Sequence, residues 1–453
     1  METRQRESGA NGGGLREITD LSAYRAVAVQ AKYPVGAMLI SQTLAGPVTA
    51  AVLSRTLGAQ HYGEFTVILT IAGLSQLLAA FPVETGLAKF LAEARQEQPE
   101  EVRAWYTAGL AVRLCAGLLG LLAAIVTAGW LSRAYHVGDQ SWAIVMAAVS
   151  LCLLTPLATT LLACVQGMEQ PARWSTGNLL NALVVFALTV AGARAFGAVG
   201  QQGLFEYLAM GSLAAAVVGG VLARRALGFL LPGGVARRHF RVLLAFLLPM
   251  WIVPLAGFAT KIILRSVLAV KCGPAPVGQF EIALTLLVHM GTIYHACMIV
   301  FIPAWTRLYV SRQGAELLRS LSQTRGVLLG LAMLYGAALV LGGHWLVPAI
   351  FGRDQAGAVP AVQVMGLTMP IMIAGWVASA TNVVSNRTKN IGMANVIWFS
   401  LAIPLGLLLT PSLGAFGTAL AWMGAYAVFA WFYIWSARPF FREVEGWAAA
   451  TRE

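Results

Sequence analysis

Long apolar runs separated by short polar stretches repeat along the whole chain. Twelve are long enough, at about 20 residues each, to cross the ~30 Å hydrocarbon core of a bilayer. They fall near 34–54, 64–89, 106–130, 141–165, 175–196, 204–223, 242–267, 279–305, 325–349, 361–384, 392–410 and 416–437. Barrel strands would alternate apolar and polar positions over about 10 residues, so uninterrupted runs of this length predict helices. The longest connections, 93–103, 224–241 and 309–325, leave no room for a soluble domain. Proline recurs inside spans at Pro47, Pro82, Pro156, Pro254, Pro303, Pro370 and Pro404, which predicts kinked or broken helices. Small residues at helical spacing, such as Gly211, Ala215 and Gly219, predict close helix contact. The pattern gives an all-α polytopic membrane protein.

Charge orients it. With the N-terminus inside, about 23 of the Lys and Arg residues fall in inner segments and about 7 in outer ones, while Arg113 stands alone within the third span. This predicts a multi-pass protein of the cytoplasmic (inner) membrane with both termini cytoplasmic. Segment 1–33 lacks a short apolar core with a small-residue cleavage site and reads as a retained cytoplasmic tail. The composition agrees: 58% hydrophobic and 11% charged residues over 453 positions, with mean hydropathy +0.72, exclude an ordinary soluble domain. The formal charge of +12 is largely explained by orientation and implies no nucleic-acid partner. The five cysteines form no CxxC pair and suggest neither a disulfide framework nor a zinc site, and nothing in the sequence calls for a cofactor.

The chain contains itself twice. GAVG at Gly197–Gly200 returns as GAFG at Gly414–Gly417, and YGEF at Tyr62–Phe65 is paralleled by VGQF at Val277–Phe280, both at a spacing of roughly 215 residues. Pro82 and Pro303 sit late in the second and eighth spans. Six spans per half leave both halves in the same orientation. The expected organisation is therefore a tail at 1–33, an N-lobe at 34–223, a basic linker at 224–241, a C-lobe at 242–437 and a cytoplasmic tail at 438–453, with the two six-helix lobes related by a pseudo-twofold along the membrane normal.

Several stretches, in order, resemble a known family. LSRTLGAQHYGEFTVILTIAGL, LLACVQGMEQPARWSTGNLL, KIILRSVLAVKCGPAPVGQFEIALTLL, FIPAWTRLYVSRQGAELLRSL and NRTKNIGMANVIWFSLAIPLGLLLTPSLGAFGTALAW look like the span-entry and connection motifs of the Wzx-like polysaccharide-exporter flippases of the multidrug/oligosaccharidyl-lipid/polysaccharide superfamily. The likeness runs from about residue 34 to 437. It implies a flippase, not an enzyme, that carries polyprenyl-diphosphate-linked oligosaccharide across the membrane by alternating access for polysaccharide, O-antigen or exopolysaccharide assembly. The sugar head would pass through a cavity between the lobes, lined mainly by the first, second, seventh and eighth spans. The implied partners are the lipid-linked glycan, membrane lipids, and the polymerase and glycosyltransferases of the same pathway. Lys261 departs from the family, many members of which carry an acidic or neutral polar residue there, so an ion-coupling role at that position is not carried over.

Charged residues at membrane depth are the candidate site. Lys261 and Arg265 are four apart and share a helix face. Counted from the start of the seventh span, Lys261 lies ~28 Å along, which puts both near the outer interface, either as snorkelling anchors or as a cationic cavity mouth for the diphosphate. Lys89 and Arg307 end the paired second and eighth spans and could receive a diphosphate or simply anchor the helices. Arg113 is expected to snorkel back to the cytoplasmic headgroups or, less simply, to line the cavity. Glu84 and Glu281 are candidates for ion coupling or for pairing with Arg113 and Lys261. His289 and His295, six apart, do not form a metal pair. Asn178, Asn181, Asn382 and Asn395 either hydrogen-bond sugar or bridge helices. A drug or cation exporter of the same superfamily would want intramembrane acids, of which there are few. A membrane-embedded polymerase or glycosyltransferase would want a large outer loop with catalytic acids, and no such loop or DxD occurs.

Overall fold

The computed structural model describes residues 35–450 apart from 230–232 and 235, so the tail expected at 1–33 lies outside the described residues. Among those described, nine helical stretches are long and apolar enough to cross a membrane. The first and last of them each hold two spans, joined at a glycine: Gly58 (φ 74°) and Gly414 (φ 58°) take left-handed backbone that breaks the helix. In the last stretch the rings of Trp398 and Trp422 are 5.1 Å apart, although a straight helix would separate them by about 36 Å. Arg237–Cys272 adds a further long helix. The twelve spans are α1 (35–57), α2 (59–79, resuming as Val83–Glu97), α3 (Val102–Ala134), α4 (Ser141–Gly167), α5 (Pro171–Arg194), α6 (Phe196–Leu227), α7 (Arg237–Cys272), α8 (Pro274–Val310), α9 (Gly314–Phe351), α10 (Val359–Val384), α11 (388–413) and α12 (414–450).

Two proline positions among those expected to disturb helices do so through distinct geometry. Pro47 sits in a π-helical turn, Leu44–Val48, and Pro82 closes the gap between the two parts of α2. A second π-helical turn, Val149–Leu154, precedes Pro156 in α4. Pro303 and Pro370 lie within continuous helices.

The internal repeat is visible in the backbone. Left-handed residues recur at equivalent turns, Gly58 with Gly273, His136 with Gly352, Glu169 with Asn386 and Gly200 with Gly414. The GAVG and GAFG strings mark the same turn, but out of register: the left-handed glycine is the last of the first string and the first of the second. Repeat mates meet where α2 crosses α8. A β-carbon on Gly278 would lie 3.1 Å from Gly63 Cα, and one on Gly63 would overlap the Pro274 carbonyl, so only glycine allows this approach.

The six odd-to-even turns share one end of the bundle, which is the cation-poor end of the sequence pattern. There the Ser54 hydroxyl donates to the Phe351 carbonyl at 2.9 Å and the Tyr135 hydroxyl to Ser266 Oγ at 2.6 Å, both across the lobes. At the basic end, Leu243 and Leu247 of α7 pack with Val83, Phe90 and Ala108 of the N-lobe. The linker expected at 224–241 is partly helical, since α6 runs to Leu227 and α7 starts at Arg237. It is held by Glu101, which pairs with Arg238 and His239. Residues 438–450, expected as a tail, continue α12.

Candidate functional site

Three cavities adjoin one another inside the bundle. The central one, about 380 Å³, is walled by α1, α2, α4, α5 and α6, with Glu281 and Thr285 of α8 on its C-lobe side. Through Ala45, Gly46, Glu281 and Thr285 it borders a pocket of about 200 Å³ that Lys261 and His289 also line. Through Thr155 and Thr159 it borders a third space of about 310 Å³ beside Glu84, Arg113 and Phe258. The cavity expected between spans one, two, seven and eight is thus displaced into the N-lobe. Small side chains on α4 to α6, such as Ala158, Ala182 and Ala215, leave room there.

At the C-lobe boundary, Lys261 and Arg265 stand one turn apart on α7 and both pair with Glu281, Lys261 at 3.8 Å. Arg265 is buried and Lys261 partly exposed. Burial of Arg265 demands a counter-charge, which Glu281 supplies. The expected position near the outer interface is corrected here: α7 runs on from Lys261 to Cys272, roughly 16 Å at 1.5 Å per residue. The apolar run ends early in sequence while the helix does not, so Arg265 and Lys261 sit inside the bundle and neither snorkels.

The second ion cluster is built on the gap in α2. Breaking a helix leaves its last carbonyls without amide partners. Arg113 of α3 spans the gap, Nη1 donating at 2.9 Å to the carbonyl of Ala79, the last helical residue before it, and Nη2 at 2.8 Å to the Phe81 carbonyl, which also accepts from the Val83 amide. Its Nε donates to Thr160 Oγ1 at 3.0 Å and its Nη2 also to Glu84 at 2.7 Å, while Thr159 donates to the same carboxylate at 2.8 Å. With its side chain 3% exposed, Arg113 does not reach back to the headgroups. A guanidinium offers five N–H groups, and most of them are engaged by protein.

The remaining sequence candidates lie elsewhere. Lys89 pairs with Glu93 at 3.8 Å and stands over the Phe246 ring at 4.7 Å. Arg307 is exposed in the last turn of α8. Neither lines the three cavities. His289 lines the smallest of them, and His295 contacts the rings of Tyr294 and Trp376. Asn178 and Asn181 line the central cavity, whereas Asn382 is buried between Ser436 and Asn390 and bridges helices. Sequence reasoning missed Tyr62, Thr155 and Thr159 in the wall. Thr155 and Thr159 carried a signal, two hydroxyls at i and i+4 flanking Pro156 in an apolar span.

A family model described as polysaccharide biosynthesis protein matches residues 35–309. A comparison with curated protein sequences finds no match. Solved structures with a similar fold include a multidrug resistance MATE family transporter of the MOP superfamily in an inward-facing conformation, at 14% identity and TM-score 0.67, covering 92% of this chain and 96% of that one. The lipid II flippase MurJ, inward closed, aligns at 11% identity and TM-score 0.68 over 91% of this chain and 87% of its own. A MOP superfamily transporter from Pyrococcus furiosus aligns at 14% identity and TM-score 0.64 over 93% and 97%.

Proposed function

The chain belongs to the polysaccharide biosynthesis protein family, and from that membership we propose that it is a flippase moving polyprenyl-diphosphate-linked oligosaccharide across the cytoplasmic membrane by alternating access. The observation that carries this reading is the Lys261–Arg265 pair facing Glu281 where the central cavity meets the lobe boundary. Two cations on one carboxylate leave a net positive site. A diphosphate entering it takes the place of Glu281, and Arg265 offers a bidentate fork where Lys261 offers a point charge. Glu281, once displaced, is free to take a proton and is the candidate coupling residue, with Glu84 held in reserve by Arg113. Lys89 and Arg307, at the basic end, serve as first contacts for the headgroup at the inner leaflet. Both termini then lie in the cytoplasm, with the pathway's glycosyltransferases on that side and its polymerase on the other.

A drug exporter of the same superfamily is the second reading, favoured by the fold shared with a multidrug transporter. Against it, the acids lining the three cavities, Glu84 and Glu281, both already face cations. The test is transbilayer movement of a labelled polyprenyl-diphosphate oligosaccharide in proteoliposomes with matched protein. Lys261→Gln and Arg265→Gln each leave one cation beside Glu281 and each remove a charged hydrogen bond to the diphosphate, a loss of about 1.5 to 3 kcal/mol or roughly 10- to 150-fold in apparent affinity. Lys261→Arg retains movement. Equal rates for both Gln variants and the parent would remove the cationic site from the reading.

A further inference from the structure

The two lobes share a plan, yet the N-lobe is hollow where the C-lobe is filled. The left-handed turns Glu169 and Asn386 align α5 with α11. Within those helices Asn178 and Asn395 make the same amide bond back to the carbonyl four residues earlier, on Trp174 and Ile391. In this register Asn181 matches Trp398. The turns Gly200 and Gly414 likewise align α6 with α12, matching Leu208 with Trp422 and Ala215 with Phe429. Asn181, Leu208 and Ala215 are wall residues of the central cavity. Their mates are buried rings packed on one another, Trp398 at 5.1 Å from Trp422 and 6.4 Å from Phe429.

Unfilled volume inside a packed bundle is destabilising, so a cavity kept open in one repeat and closed in the other fits a ligand. Its wall indicates the kind. Most of it is apolar, with a few placed polar groups, the usual make-up of a small-molecule site. Two of those groups, Asn181 Oδ1 and Thr189 Oγ1, are buried without a hydrogen-bond partner, and Thr189 is 2% exposed. Buried acceptors of this sort need donors. Among the lining residues the one charged side chain is Glu281, at the mouth shared with Lys261. A prenyl tail brings no donors, and an organic cation would find Glu281 already claimed by two cations.

We propose that the N-lobe cavity is a sugar subsite: it takes the uncharged ring or rings next to the diphosphate, whose hydroxyl or N-acetyl N–H groups donate to Asn181 and Thr189 while the diphosphate lies at Lys261 and Arg265. The proposal rests on the lipid-linked glycan reading above. The substrate is thereby bound asymmetrically, glycan in one lobe and anion at the other.

The test compares binding of farnesyl diphosphate and of farnesyl-diphosphate-linked N-acetylglucosamine to purified protein in detergent, by calorimetry. The parent binds the glycosylated lipid at least roughly tenfold more tightly, the worth of one to two hydrogen bonds. Asn181→Leu and Thr189→Val, both close in shape to the native residues, each shrink that preference without weakening the sugar-free lipid. Ala215→Phe, which imports the C-lobe ring, abolishes it, and Thr189→Ser retains it. Equal affinity of the parent for the two lipids overturns the sugar subsite alone, as does an undiminished preference in Asn181→Leu, Thr189→Val and Ala215→Phe. Failure of the parent to bind either lipid overturns the diphosphate reading and the subsite with it.

Discussion

Arg113 shows how a single intramembrane charge is made tolerable. Its guanidinium is withdrawn from water and repaid by two carbonyls at the α2 gap, a threonine and Glu84. Removing one partner of such a buried cluster typically costs about 3 to 5 kcal/mol, because the others are left without it. Arg113→Met should therefore lower the thermal unfolding midpoint in detergent markedly, and Arg113→Met combined with Glu84→Gln should recover part of the loss. A stable Arg113→Met protein that no longer binds inorganic pyrophosphate would instead make Arg113 a ligand contact. The pairing partners were legible in the sequence, since an intramembrane acid and an intramembrane base have little choice but to find each other: Glu84 with Arg113 and Glu281 with Lys261 were open options there. The carbonyl partners were not legible, because they exist only once α2 breaks at Ala80–Pro82 and α3 packs across the gap.

At the scale of helices, close approach is set by the smallest residues. Gly63 and Gly278, marked by the paired YGEF and VGQF strings, touch at the crossing of α2 and α8. The strings announced a repeat but not that the mates would meet, which follows only from a pseudo-twofold passing between them. Substituting alanine should have unequal effects. In Gly63→Ala the new methyl overlaps the backbone carbonyl of Pro274, which cannot swing aside, whereas in Gly278→Ala it meets Tyr62 Cδ1 at 3.0 Å and Gly63 backbone at 3.1 Å, so a small shift of the ring and the helix relieves part of the contact. The expected order of thermal stability is Gly63→Ala below Gly278→Ala below the parent; a Gly63→Ala protein as stable as the parent would mean that the lobes are not close-packed at this crossing. Span ends were poorly legible for a different reason. Polar flanks such as those of α7 and α9 remain helical beyond the apolar run, and hydropathy reports where lipid contact stops, not where the helix does.

Over the whole molecule, twelve spans and two lobes could be read from run length and recurring strings, while the hollowing of one lobe could not, because it depends on three aligned positions, two of which, on α6 and α12, stand in a register that the GAVG and GAFG strings misplace by three residues. The same architecture constrains transport. The lobes are joined at the cation-poor end by Ser54 with the Phe351 carbonyl, by Tyr135 with Ser266 and by the glycine crossing. A flippase working by alternating access has to part these contacts once in each cycle, whereas binding from the basic end does not require it. Tyr135→Cys with Ser266→Cys in a cysteine-free background, joined by a short reducible bifunctional thiol reagent, should therefore abolish transbilayer movement of the labelled lipid while leaving pyrophosphate binding within about twofold of the uncrosslinked protein, and reduction should restore movement. A control pair inside the N-lobe, Trp142→Cys with Glu206→Cys, replaces two residues that hydrogen-bond at 2.8 Å at the same end without spanning the lobes, and crosslinking it should change neither quantity. Movement at the parent rate in the crosslinked Tyr135–Ser266 variant would show that the cation-poor end never opens, and alternating access through the central cavity would have to be abandoned.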